Sequence, residues 1–128
     1  MKPFFSIIIP TYNSQQTIKK AISSVLSQKK NYEVVIVDDC SKDSTITFLK
    51  RLVKKNKQFR LLKNYRNIGV SETKNKALKA ATGEYVIFLD SDDHLFSNSL
   101  GKLEKFIKLN KNPDVVFGRF EKKTFPKN

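Results

Sequence analysis

Short apolar runs rich in β-branched and aromatic residues alternate along this chain with stretches of helical periodicity, and that alternation restricts the possible fold more than any other feature. "FFSIII" (4–9), "EVVIV" (33–37), "YVIFL" (85–89) and "VVF" (115–117) have the length and composition of buried strands, with "RLLK" (60–63) a lesser candidate. Between them apolar residues recur at helical spacing. Ile18, Ala21, Ile22, Val25 and Leu26 mark one face; Phe48, Leu49, Leu52 and Val53 a second; Ala77, Leu78 and Ala81 a third; Leu103, Phe106 and Ile107 a fourth. Gly83, just past "KAAT", is placed for a left-handed cap on the third helix. Strands that alternate with helices need crossover connections. The chain is therefore expected to be α/β, with a mostly parallel open sheet and helices on both faces. Its 128 residues suffice for one such core, so 1–128 reads as a single domain.

In open α/β sheets ligands bind beyond the carboxyl ends of the strands, so the residues just past each run are the site candidates. "VIFLDSDDHL" puts Asp90, Asp92 and Asp93 there, in a chain whose formal net charge is +13. If the extended conformation persists past Leu89, Asp90 and Asp92 share one side while Ser91 and Asp93 point away. Converging carboxylates repel each other unless a cation intervenes, and a hard divalent ion such as Mg2+ or Mn2+ takes oxygen ligands of this kind. "VIVDDCSKDST" ends its strand in Asp38 and Asp39, acceptors for ribose hydroxyls or a base N–H. "IIIPTYNSQQT" ends in Pro10, expected to stop the ladder, followed by Thr11, Tyr12 and Asn13. Three strand ends are thus expected to converge on one polar cleft. The plainer reading of these acids is helix capping: Asp38, Asp39 or Ser41 for the helix after them, and the 90–93 cluster for a helix beginning near Ser97. Asn67 and Gly69 shape the loop before the third helix, Gly69 by permitting a backbone conformation costly to other residues. His94, the only histidine, reads as a loop side chain beside the cluster.

Five segments occur in order: "SIIIPTYN", "VVIVDDCSKDST", "NIGVSETKNKAL", "ATGEYVIFLDSDD" and "PDVVFG". With them the chain resembles the family 2 glycosyltransferases, from about residue 5 to residue 118. The resemblance implies a Rossmann-like GT-A fold that binds a nucleoside-diphosphate sugar, UDP-linked, across the first, second and fourth strand ends. It implies that Pro10, Thr11, Tyr12 and Asn13 border the nucleotide, that Asp38 or Asp39 contacts base or ribose, and that Lys74 lies near the base, with Asn67 a secondary contact. Asp90 and Asp92 match the ends of the D-x-D motif, Asp92 being the preferred direct ligand for Mn2+ or Mg2+. The implied reaction moves a sugar to an acceptor hydroxyl in surface polysaccharide or glycolipid synthesis. A metal stabilises the departing diphosphate and a carboxylate base deprotonates the acceptor. Two departures stand out. Lys74 occupies a position where the family usually has Arg, which keeps the charge but not the planar fork of donors. The chain also stops ten residues after Gly118, whereas the family generally places the acceptor site and the base in a second half. Glu121 is the only carboxylate in that tail and is not assigned as the base. The expectation is a donor-binding core lacking the acceptor half: a portion of a larger enzyme or, alternatively, a nucleotide-binding module that does not turn over alone.

The excess of 25 Lys+Arg over 12 Asp+Glu suits nucleic acid, an anionic membrane or simple solubility. Lys102, Lys105, Lys108 and Lys111, and the segment "VKKNKQFRLLKNYR", read as separate solvated faces rather than one stripe. The aromatics sit mostly in strands and core positions, not interleaved with these lysines, which argues against nucleic acid. A peripheral contact with the inner face of an anionic membrane suits a cytoplasmic protein working on lipid-linked acceptors. The lone Cys40 excludes an internal disulfide and fits a reducing compartment. The opening apolar run is too short to span a membrane and lacks a signal-peptide cleavage pattern. Other enzyme classes fail on placement. A haloacid-dehalogenase-type phosphatase needs its D-x-D near the start of the fold. A P-loop nucleotidase or a dinucleotide-binding dehydrogenase needs glycines after the first strand, where "PTYNSQ" has none.

Overall fold

The computed structural model describes residues 2–122. Its elements run β1 (Phe5–Thr11), α1 (Ile18–Leu26), β2 (Tyr32–Asp38), α2 (Thr45–Lys55), β3 (Phe59–Lys63), α3 (Val70–Ala80), β4 (Tyr85–Phe88) and α4 (Ser99–Leu109). The four strands form one sheet in the order β3-β2-β1-β4, and every pairing is parallel. Side chains alternate across it as the two-residue strand period requires. Phe5, Ile7, Ile9, Val34 and Ile36 face a core closed by α1, α2 and α4; Ile8, Val35 and Val37 face Ala77 of α3. Strand order explains this split. Right-handed crossovers β1-α1-β2 and β2-α2-β3 put their helices on one face, and the return from β3 past β1 to β4 carries α3 over the other. The strand order reverses between β1 and β4, and such a switch point opens a crevice at the carboxyl edge.

Of the α1 residues at helical spacing, Ile18, Ala21, Ile22 and Val25 are buried and Leu26 is exposed. The match is looser elsewhere: Leu78 of α3 and Phe106 of α4 lie on exposed surface. α3 approaches the sheet through Ala77, with Ala80 and Ala81 half-buried beside it, so small side chains set a close spacing.

Four local expectations are corrected. Pro10 does not end its strand, since β1 continues through Pro10↔Val37 to Thr11↔Asp38. The β4 ladder stops at Ile8↔Phe88, and Ile8 O accepts from Leu89 N–H on that side. Residues two apart point the same way, so the missing N–H of Pro10 faces the β4 side beyond the last pair, where no acceptor waits. Gly83 is not a left-handed cap; α3 ends in extended backbone at Ala81, and the only glycine with positive φ among the described residues is Gly69. What requires glycine at 83 is proximity, because a Cβ there would lie 2.5 Å from Ser6 N and 2.8 Å from Phe5 C. The 115–117 run forms no strand: no ladder joins it to β4, although Val116 packs on the main core and Tyr85 Oη donates to Pro113 O at 2.9 Å. Left-handed backbone at Lys111 and Asn112 sets its direction instead. Finally, the basic segment 53–66 is not one face: β3 carries it from the amino edge of the sheet to the carboxyl edge, where Lys63 is in register with Asp38, and only its first part shares an end with the α4 lysines. Lys54, Lys55 and Lys57 close α2 at the amino edge of the sheet. α4 lies along the same edge, tied by Lys30–Glu104 at 3.1 Å and by Lys108 Nζ over the Phe4 ring at 5.5 Å.

Candidate functional site

The loops after β1, β2 and β4 meet at the carboxyl edge, and hydrogen bonds join them in pairs. Asn13, held at φ 46°, donates its N–H to Ser41 Oγ (2.9 Å), and its Oδ1 accepts from Lys42 N–H (2.8 Å). Ser14 N–H donates to Thr45 Oγ1 at 2.9 Å, and Thr45 in turn donates to Asp43. Ser14 Oγ lies 2.7 Å from Ser91 Oγ, joining the first loop to the fourth.

Asp38 and Asp39 are both buried and serve different loops. Asp38 accepts from Ser41 N–H (2.9 Å), Ser41 Oγ (2.6 Å) and Thr11 Oγ1 (3.2 Å), which folds its own loop. Asp39 reaches the start of α3, accepting from Ile68 N–H (2.8 Å), Gly69 N–H (2.9 Å) and Asn64 Nδ2 (2.9 Å). A carboxylate there also meets the positive end of the helix dipole. Neither caps α2, whose Thr45 N–H donates to Asp43 Oδ1, and Asp39 binds N–H groups of the loop before α3 rather than of its first turn, so the capping expectation is corrected for both acids. Burial alone raises the Asp39 carboxyl, and the donors from Ile68, Asn64, Gly69 and Thr73 outweigh it and hold it below the ordinary range.

A cavity of about 290 Å³ opens between the first loop and α3, lined among others by Pro10, Thr11, Tyr12, Asp39, Asn67 and Thr73. Tyr12, 51% exposed, offers an aromatic surface at its rim. Gly69 forms the far wall at φ 87°, ψ 165°, a region open essentially to glycine alone. Asn67 Nδ2 makes only a long contact, 3.5 Å, to Asp39 O. Lys74 stands between this cavity and the acids, 5.6 Å from the Phe88 ring centroid and 3.5 Å from Asp90 Oδ1.

The acids themselves depart from the extended geometry. Asp93 N–H donates to Asp90 O at 3.0 Å, so the chain turns at once after Leu89. Asp93 therefore does not point away: carboxylate oxygens of Asp90, Asp92 and Asp93 lie within 4.8 Å of one another. Nor do these acids cap α4, which starts at Ser99 with Asn98 in left-handed conformation before it. Desolvation raises the Asp93 carboxyl, and the charges of Asp92 and then Asp90 raise it further against a smaller pull from His94. An all-oxygen donor set under mutual repulsion fits a hard divalent cation. Asp93 is among the strand-end acids legible in the sequence, though expected to point away, whereas Ser14, Thr73 and Asn64 carry no signal of a site role there.

The family model described as Glycosyl transferase family 2 matches residues 6–127. The chain belongs to that family. The UDP-Glc:alpha-D-GlcNAc-diphosphoundecaprenol beta-1,3-glucosyltransferase WfgD of Escherichia coli is 38% identical over 117 residues, covering 91% of this chain and 45% of that protein. Among solved structures, S. aureus TarS 1–349 in complex with UDP superposes with a TM-score of 0.79 at 36% identity, over 87% of this chain and 33% of that one. A mannosyltransferase from Pyrobaculum calidifontis in complex with GDP-Man and Mn2+ gives 0.75 at 27% identity, over 84% and 33%. The sheet and flanking helices are therefore the Rossmann-like GT-A architecture. This family 2 chain spans between 18% and 45% of the length of the curated relatives it matches.

Proposed function

We propose that these residues form the donor-binding core of a metal-dependent glycosyltransferase that moves a sugar from a nucleoside-diphosphate sugar, UDP-linked, to an acceptor hydroxyl in surface polysaccharide or glycolipid synthesis. The observation that carries this reading is the convergence of Asp90, Asp92 and Asp93 within 4.8 Å at the β1/β4 switch point. Relatives crystallised with UDP, or with GDP-Man and Mn2+, support the ligand class. The name of the E. coli relative, with a UDP-sugar donor and a diphosphoundecaprenol acceptor, supports a lipid-linked acceptor. In this reading Pro10, Thr11, Tyr12 and Asn13 frame the nucleoside, Asp39 rather than Asp38 offers its carboxylate edge to it, and Asn67 closes the far side. Lys74, 3.5 Å from Asp90, neutralises diphosphate charge from the α3 side rather than meeting the base, and Asp92 with Asp90, joined by Asp93, holds Mn2+ or Mg2+. When bound, the cation stabilises negative charge on the leaving diphosphate. The general base is not assigned to a residue of this chain. A peripheral position at the cytoplasmic face of the membrane belongs to the same proposal; among the described residues no helix is long and apolar enough to cross a membrane.

Calorimetric titration with UDP, with and without Mn2+, tests the reading. Mn2+-dependent binding is expected, and Asp92→Ala is expected to abolish that dependence while leaving the thermal transition in place. Equal UDP binding with and without metal, or unchanged metal dependence in Asp92→Ala, counts against it.

A further inference from the structure

Three repelling carboxylates on an exposed turn need an anchor if they are to stay together. The backbone supplies bonds at either end of the segment, Leu89 N–H to Ile8 O and Leu95 N–H to Ser24 Oγ (3.0 Å). Between these, the side chain that ties the turn to another strand-end loop is Ser91, the residue enclosed by Asp90 and Asp92. Its partner Ser14 is only 7% exposed. Ser14 Oγ also lies 3.2 Å from the Tyr12 carbonyl oxygen, within reach to donate to it. Either hydroxyl can give the proton of the 2.7 Å Ser14–Ser91 bond, since each is both donor and acceptor. Through Ser91 Oγ, Ser14 Oγ and Tyr12 O the acid turn is linked to the aromatic rim of the cavity. Ser14 is held on its other side, its N–H donating to Thr45 Oγ1, so the link has a fixed base.

We infer that Ser14 and Ser91 are positioning residues that set the acid turn against the nucleoside cavity and so make metal and nucleotide binding cooperative. The inference rests on the donor-site reading above. Neither hydroxyl is assigned to ligand. Removing one leaves both half-sites formed but lets the turn relax under its own repulsion, so the loss falls on their coupling. Coupling between two ligands is reciprocal, which allows it to be read from either side.

The test measures UDP affinity with and without Mn2+, and Mn2+ affinity with and without UDP, in the unchanged chain and in Ser91→Ala, Ser14→Ala, the double variant and Ser91→Thr. The Mn2+ enhancement of UDP binding is expected to fall about three- to tenfold in either alanine variant, the range spanned by one hydrogen bond. Metal-free UDP affinity and Tm should stay near those of the unchanged chain. The double variant should lose no more than a single one, because the two hydroxyls act as one unit, and Ser91→Thr should restore the coupling. An undiminished enhancement in Ser91→Ala overturns the inference while leaving the donor site standing. Equal losses with and without metal, together with a lower Tm, indicate a general structural role and overturn it too. If the unchanged chain binds UDP without regard to Mn2+, both the donor-site reading and the inference fall.

Discussion

Asp39 shows how a residue legible as a site candidate acquires a structural duty from its surroundings. Both its oxygens are occupied by donors from the loop before α3. An Asn in its place keeps one acceptor but turns an NH2 toward a backbone N–H, leaving a buried donor unpaired. Asp39→Asn is expected to cost about 1–3 kcal/mol of stability, measured by denaturant unfolding. The pH dependence follows from the direction of the shift. The folded carboxyl sits below its unfolded value, so its contribution is fully present above about pH 4 and is lost as pH falls through the lower, folded value. The stability curve of Asp39→Asn should therefore have a shallower acid limb, and an unaltered limb would show that Asp39 is not a main source of it. The identity of Asp39 as an acid at a strand end was readable from "VIVDDCSKDST". Its partners were not, because Ile68 lies 29 positions away.

Among the elements, two glycines contrast strain with crowding. Gly69 has open space around a Cβ but a conformation closed to other residues, whereas Gly83 has ordinary backbone and no space. Gly69→Ala is expected to cost about 1–3 kcal/mol through backbone strain at the entry to α3, and to weaken nucleotide binding with it. Gly83→Ala should cost a similar ~1–3 kcal/mol by pushing the α3–β4 connection off Ser6 and Phe5. It should leave nucleotide affinity in the surviving folded protein unchanged, because it acts at the opposite edge of the sheet. Thermal unfolding paired with UDP titration separates the two, and equal effects of both variants on affinity would refute the contrast. The strand-like composition of 115–117 is instructive at this scale. β propensity reports a side chain's fit to a pleated, packed surface, and without a ladder partner it makes no strand.

At the scale of the molecule, six aspartates gather at one end of the strands and a group of lysines at the other. The carboxyl edge holds Asp38, Asp39, Asp43, Asp90, Asp92 and Asp93, while lysines of α4 and of the α1–β2 and α2–β3 connections collect at the amino edge. A basic end surrounding exposed Phe106 and Leu109 suits an anionic bilayer, where each nearby lysine contributes about 1 kcal/mol. Flotation with anionic vesicles is expected to recover the protein at low salt and to release it as salt rises. Lys29→Glu, Lys57→Glu and Lys105→Glu together should reduce binding at least tenfold more than Lys19→Glu, Lys63→Glu and Arg66→Glu together, which lie toward the carboxyl edge. Equal losses would mean that net charge alone is responsible.

Sequence by itself determined the alternation of strands and helices, the parallel α/β class, the family, and the three strand ends that carry the polar residues. These are local properties, since side-chain period, turn chemistry and motif order are all written within a few neighbouring residues. Tertiary structure alone decided that Pro10 stays in β1 because its imide faces a vacant ladder position, and that Asp93 turns back to join Asp90 and Asp92. It also decided that Asp39 secures the entry to α3 and that the lysines at the end of α2 share one edge with those of α4. The Ser14–Ser91 bond spans 77 positions, and nothing in either local segment specifies the other. Such contacts exist only once the β3-β2-β1-β4 order has brought the loops together, because packing and hydrogen bonding act through space rather than along the chain.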